Sequence, residues 1–321
     1  MSIAAYIREI GRGREGARSL THDQAHDLMS QVLDARVSDL EIGAFTIAMR
    51  VKGETTDELI GFERACRERC MPIESDEPVV VVPSYNGARK LPNLTPLLAL
   101  LLAQEGVRVL VHGPARDPAR VGTLDIFRVL GLPVAQDAAD VRAAWQRHEP
   151  VFMDIARLCG SLSRLLEVRW TVGLRNSGHT VAKLMEAVPG ALRVVSYTHP
   201  EYAAAQTEFV QRSGANAMVL RGTEGEPVAD ARRTPRMEVY LGGVAVPQCA
   251  RAAAEGVVTG LPLLPASKEA SATALYIQGV ISGQMPAPAP LLAQAESLAL
   301  ACELLRSGTA PPVEPLAQGT G

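Results

Sequence analysis

The sequence predicts an α/β protein in two parts: a small N-terminal α-helical domain and a large α/β domain built on a mostly parallel sheet. Three observations carry this. The first seventy or so residues place apolar side chains at helical spacing behind capping signals. From residue 79 onward, short β-branched runs alternate with helical stretches, which is the pattern of strand–helix–strand units. Hydrophobic residues make up 47% of the 321 but aromatics only 4%, so the core is mostly Ala, Val and Leu and favours helices over a β-sandwich.

The elements follow in order. Thr21 caps a helix, with Gln24 at the box position and Ala25, Leu28, Met29, Val32 and Leu33 behind it. Ser38 with Glu41 opens the next helix, which Lys52-Gly53 closes, and Thr55 or Thr56 opens a third that Pro72 stops. VVVV at 79–82 reads as a strand buried on both faces. LPNLTPLLALLLAQEG is a helix ending at Gly106, VRVLVHG a strand, and VGTLDIFRVLG a helix ending at Gly131. VFMDI, RVVSYT, AMVLRG and MEVYLGG are further strands, and SKEASATALYIQGVISG and APLLAQAESLALACELLRSG two late helices. The expected boundaries are 1–75 for the helical domain, joined by helices around 157–187, then 76–308 for the α/β domain and a disordered tail at 309–321.

The net charge of −3 is unevenly spread. Residues 87–183 hold 13 Lys/Arg against 8 Asp/Glu, whereas the segments on either side are acidic. A locally basic third suits a polyanion, although the count alone is equally consistent with ordinary solvated arginines. Five scattered cysteines do not make a disulfide framework; Cys66 and Cys70 could share a metal, and buried structural thiols are the simpler account. The N-terminus carries charge inside its apolar stretch, unlike a signal peptide, and LLALLLA is too short for a bilayer. A cytoplasmic setting with no membrane partner is the expectation.

Ligands collect at the carboxyl ends of strands in open α/β sheets. The loops there carry Arg89 and Lys90, then Arg116 and Arg120, then Arg221, Arg232, Arg233 and Arg236. Arginine suits bidentate phosphate contact. VRWTVGLRNSGHTVAKL adds Arg175, Asn176, His179 and Lys183, with Asn176, Ser177 and Thr180 able to cap a helix whose end can hold an anion. His179 is either a general base or a structural histidine. Glu224, Glu226 and Asp230 could bind Mg²⁺, or be exposed loop carboxylates, which are commoner. No nucleophile elbow, Walker loop, zinc spacing or GxGxxG is present, so no catalytic or metal-ligating residue is assigned.

The order of these segments resembles the anthranilate phosphoribosyltransferase family, in glycosyltransferase family 3, along most of the chain. KGET at 52–55, VRVLVHG, VRWTVGLRN and ALYIQG carry the likeness. It implies the fold shared with class II nucleoside phosphorylases, in which the small helical domain is used for dimerisation. The family's diphosphate loop, Gly-Thr-Gly-Gly-Asp, falls on Ser84-Tyr85-Asn86-Gly87-Ala88, so the glycines that permit close backbone approach are reduced to Gly87. In the Lys-His-Gly-Asn motif Val111 replaces the lysine, His112 and Gly113 remain, and Pro114 replaces the asparagine. The acidic pair that binds metal in the family has no adjacent counterpart in TEGEP, while Arg169 and Arg175 align with family arginines. GLRNSGHTVAKL and RGTEGEPVADARRTP are similar to the YbiB-type branch. That likeness implies a homodimer binding DNA or RNA without sequence preference and without anthranilate phosphoribosyltransferase activity. Tyr85 is then a candidate base-stacking residue. The alternative is an active transferase using phosphoribosyl diphosphate and Mg²⁺, with Asn86, Gly87 and Lys90 on the diphosphate and Arg169 on an unidentified acceptor. A third reading is an assembly protein with solvated basic loops.

Overall fold

A computed structural model describes residues 2–256, 260 and 262–308; the expected disordered tail at 309–321 lies outside them. The chain opens with α1 (Ala4–Ile10), α2 (Gly13–Gly16), α3 (His22–Leu33), α4 (Asp39–Lys52) and α5 (Thr56–Arg67). Thr21, Ser38 and Thr55 each complete a capping box, with Gln24, Glu41 and Glu58 respectively, so Thr55 and not Thr56 caps the third helix. That helix stops at Arg67, several residues before Pro72, because after Glu68 the amides of Arg69 and Cys70 tighten onto the carbonyls three residues back, Cys66 and Arg67. Phe45 and Phe62 pack edge-on at 5.9 Å between α4 and α5.

The large domain begins with β1 (Val79–Pro83), α6 (Thr95–Gln104), β2 (Arg108–Gly113), α7 (Thr123–Leu130), β3 (Val134–Ala135), α8 (Ala138–Gln146) and β4 (Val151–Asp154). It continues through α9 (Ile155–Leu158), α10 (Gly160–Val172), α11 (Ser177–Leu184), β5 (Leu192–Tyr197), α12 (Glu201–Ser213), β6 (Ala217–Arg221), β7 (Met237–Leu241) and β8 (Val244–Ala245). A 3₁₀ turn at Pro247–Cys249 leads to α13 (Ala270–Ile281) and α14 (Ala289–Ser307). Among the described residues the strands form one eight-stranded sheet in the order β3-β4-β2-β1-β5-β6-β7-β8. It is parallel from β3 to β6 and antiparallel at β6–β7 and β7–β8.

The four valines of β1 explain its central place. Val79 and Val81 face the core shared with the N-terminal helices, and Val80 and Val82 face the core under α6, α7, α13 and α14. Successive side chains alternate across a strand, so an uninterrupted apolar run fits only a strand covered on both faces. Burying each valine contributes about 1.5–3 kcal/mol. The register Pro83↔His112 and Gly113↔Asp154 aligns the carboxyl ends of β1, β2 and β4. The β6–β7 connection opens on the same edge, across β5 from β1. α10 and α11 return beside the N-terminal helices: the Arg164 guanidinium donates to the Leu33 carbonyl at 3.1 Å, and Ser177 Oγ donates to Glu54 at 2.6 Å.

Candidate functional site

The loop after β1 is organised around two carboxylates from the β6–β7 connection. Glu226 Oε1 accepts the backbone N–H groups of Asn86 at 2.6 Å and Gly87 at 2.8 Å. Its Oε2 accepts from Ser84 Oγ, from Thr95 Oγ1 at 3.1 Å and from Asn93 Nδ2 at 3.4 Å. Glu224 takes the amides of Arg89 (2.8 Å), Lys90 (3.0 Å) and Leu91 (3.2 Å). Five of the six amides from Asn86 to Leu91 thus point at anionic oxygen, the geometry of an anion-binding nest, while that of Ala88 donates to the Val121 carbonyl at 2.8 Å. Burial would raise the Glu224 carboxyl, but the three amides outweigh it and hold it below its ordinary value.

Two glycines make this possible. Gly87 has φ +66°, and a Cβ there would meet the Val121 carbonyl oxygen at 2.8 Å; at Gly225, with φ +87°, it would meet Asn86 Nδ2 at 1.8 Å. Glu224 itself sits at φ +52°, a conformation that costs a non-glycine residue of order 1 kcal/mol and persists only where the surroundings enforce it. Here Asn86 Nδ2 donates to the Glu224 carbonyl at 2.9 Å and Lys183 Nζ to the Gly225 carbonyl at 3.0 Å.

Several expectations change at this point. The acidic trio is not a set of exposed loop carboxylates: Glu226 is 1% exposed, because the turn folds back under the β1 loop. Backbone approach survives the missing glycines, since the amides of Arg89 and Lys90 themselves complete the nest. His112 does not lie on a phosphate-accessible surface. It is fully buried in β2, where Tyr85 Oη contacts its Nδ1 at 2.8 Å and its Nε2 finds no partner, and burial lowers its pKa to about 3. Tyr85 is likewise only 4% exposed, so it presents no face to a base. His179 closes the cap of α11, its Nδ1 meeting the Asn176 amide at 3.3 Å. Burial, reinforced by Arg175 and Arg169, lowers it to about 3. It is neutral and lends no positive charge to a phosphate.

The remaining cations divide into two groups. Arg169 pairs with Asp117 at 2.8 Å and lies 4.0 Å over the Trp170 ring, Arg232 pairs with Asp230 and Arg236 with Glu238, each at 2.6 Å. Trp170, 52% exposed, is the surface aromatic that sequence reading passed over. Among the described residues, Arg89, Lys90, Arg116, Arg120, Arg175, Lys183, Arg221 and Arg233 have no carboxylate at ion-pair distance, although Arg221 and Arg233 donate to the carbonyls of Thr198 and Ala254. Arg120 lies against Gly87, and Arg175 donates to Asn86 Oδ1 at 2.8 Å. Burial, opposed by Glu226, lowers Lys183 to about 8, and burial with the neighbouring Arg169 and Arg120 lowers Arg175. Cations therefore ring the filled nest.

The glutamates' signal in the sequence was Thr-Glu-Gly-Glu-Pro itself, two carboxylates flanking a glycine, but nothing local says which amides they meet. As metal ligands they fit poorly: each carboxylate is committed to backbone amides, and no group of three His, Cys, Asp or Glu among the described residues is arranged to hold an ion.

Residues 4–70 match the family described as "Glycosyl transferase family, helical bundle domain". The chain is 39% identical over 316 residues to the uncharacterized protein YbiB of Escherichia coli K12, covering 97% of this chain and 96% of that one. It is 28% identical over 212 residues to the anthranilate phosphoribosyltransferase of Methanothermobacter marburgensis, covering 65% and 61%. The crystal structure of anthranilate phosphoribosyltransferase from Thermus thermophilus superposes with a TM-score of 0.71 at 20% identity, over 96% of this chain and 90% of that one. The fold is that of this transferase.

Proposed function

This chain belongs to the family of the E. coli protein YbiB, and from that premise we propose that it binds nucleic-acid backbones without sequence preference and does not transfer phosphoribosyl groups. The observation that carries the reading is the filled nest. The five amides that could cradle a small diphosphate are engaged by Glu224 and Glu226. Of the cations around them Arg89 and Lys90 are exposed and Arg120 half-buried, while Arg175 and Lys183 donate inward to Asn86 and Gly225, and an extended phosphate chain needs only such distributed charge. Contacts of this kind position a strand but do not read bases.

A homodimer is part of the same proposal. On α4, Leu40, Gly43, Ala44, Ile47 and Val51 line an open apolar groove of about 750 Å³ together with Ile7, Ile10 and Val172. Leu40 is 84% and Val51 58% exposed, an apolar stripe that a second copy of this helical domain would cover. No helix among the described residues is long and apolar enough to cross a membrane.

Fluorescence anisotropy with single- and double-stranded DNA and RNA, from about 50 to 300 mM salt, tests the reading. Affinity for single strands should fall with a log–log slope of about −0.7 per phosphate contacted. Arg120→Glu should weaken binding and shorten that slope by about one contact. A salt-insensitive curve would refute electrostatic backbone binding. The intact amides favour one rival, a transferase in which both glutamates swing out and Asn86, Gly87 and Lys90 receive diphosphate. Saturable micromolar heat on titrating phosphoribosyl diphosphate with Mg²⁺ would support that rival and remove the proposal's second half.

A further inference from the structure

Three thiols lie together beneath the β1 loop, in a place the proposed function does not use. Cys66 is in the last turn of α5, Cys70 follows that helix, and Cys159 precedes α10. Cys70 Sγ and Cys159 Sγ both donate to one acceptor, the Cys66 carbonyl oxygen, at 3.3 and 3.7 Å. The backbone bond from Met71 N to Leu158 O, at 2.7 Å, ties the two chain segments side by side. Residues 70 and 159 flank that bond, so the two thiols converge on the Cys66 carbonyl, with Met185 Sδ 3.2 Å from Cys70 Sγ. Cys66 and Cys159 are buried and Cys70 is half-buried, so solvent reaches the cluster through Cys70.

We propose that Cys70 and Cys159 form a reversible disulfide that clamps the end of α5 to the start of α10. The two residues are 89 positions apart. The chemistry is asymmetric. The neighbouring Cys70 thiol, with Ser161 Oγ and the Leu162 amide, lowers Cys159 against its burial, while Cys159 and burial raise Cys70. Cys159 is also the N-cap residue of the 13-residue α10, where a thiolate is favoured.

With a hydroperoxide as oxidant, the Cys159 thiolate attacks one peroxide oxygen. The O–O bond breaks, hydroxide leaves and Cys159 becomes a sulfenic acid. The Cys70 sulfur then attacks the Cys159 sulfur, the S–O bond breaks, and water leaves with the Cys70 proton. Two thiols lose two electrons, and one hydrogen peroxide becomes two waters. Cys66 is the less suitable partner because burial holds its thiol well above the ordinary value. Tyr85, one residue before Asn86, belongs to the same buried cluster as Cys66 and Cys159, with Cys70 packed against it, so the clamp would stiffen the floor of the amide nest.

The test is peptide mapping of the full chain, alkylated without reduction after treatment with hydrogen peroxide. The expected result is a cross-linked peptide pair containing Cys70 and Cys159, lighter by two hydrogens and abolished by dithiothreitol. Cys66→Ser should keep the cross-link and Cys70→Ser should lose it. The oxidised wild type should melt several degrees higher, as expected for closing a long loop. Oxidation that stops at sulfinic acid on Cys159, or a cross-link through Cys66, Cys249 or Cys302, would overturn the proposal. The wild-type map alone decides it should a variant fail to fold.

Discussion

Replacing Glu226 by glutamine separates a carboxylate that holds the β1 loop from one that merely sits beside it. The wild-type carboxylate accepts five hydrogen bonds and is 1% exposed. A glutamine oxygen can keep the Asn86 and Gly87 amides, but without charge. A hydrogen bond to a charged group contributes about 1 kcal/mol more than a neutral one, so these two bonds cost about 2 kcal/mol. The new NH₂ meets Ser84 Oγ and Thr95 Oγ1, which can turn to accept, and Asn93 Nδ2, which cannot; losing that contact adds about 1 kcal/mol. Burying a neutral amide in place of a carboxylate returns part of this. The net expectation is a destabilisation of about 2–3 kcal/mol, read as a lower urea midpoint at unchanged slope. A Glu226→Gln variant within about 0.5 kcal/mol of wild type would refute the claim that the carboxylate organises the loop.

Two further outcomes follow from the same site. Glu224→Ala should cost only about 1 kcal/mol of stability, yet it frees three amides and removes a negative charge beside Arg89, Lys90 and Arg120. Single-strand affinity should therefore rise about 3- to 10-fold at low salt, and anisotropy showing unchanged or weaker binding would contradict the ring of cations around a filled nest. His112 and His179 are held neutral, each with a pKa of about 3 against an ordinary 6.5. Between those values the unfolded chain binds protons that the fold cannot, so stability rises with pH across the window and is lost as pH falls below about 6.5. Each contributes a slope of up to about 1.4 kcal/mol per pH unit; urea unfolding at about pH 7, 6 and 5 should show this, and His112→Gln should flatten it.

Much of the architecture was legible because its causes are local. A capping box joins residues three apart, so Thr21 and Ser38 announced their helices, while the third start stayed open between Thr55 and Thr56 until the structure put the cap on Thr55. The uninterrupted valines of β1 could only be a doubly covered strand, and Gly131 ended α7 in the left-handed conformation that glycine tolerates. The basic loops also fell at strand ends, as alternation with helices requires. What remained hidden depends on contacts between distant segments. Glu226 meets Asn86 across 140 positions, Cys159 and Cys70 converge on the Cys66 carbonyl, and His112 is buried beneath Tyr85, whose ring packs edge-on against it at 5.5 Å. Sequence determined that carboxylates, amides, thiols and arginines were available and in which kind of element each lay. Only the sheet order, which sets the β6–β7 turn across β5 from β1, decided which amides the glutamates fill and which cations, Arg89 and Lys90, stay exposed beside them.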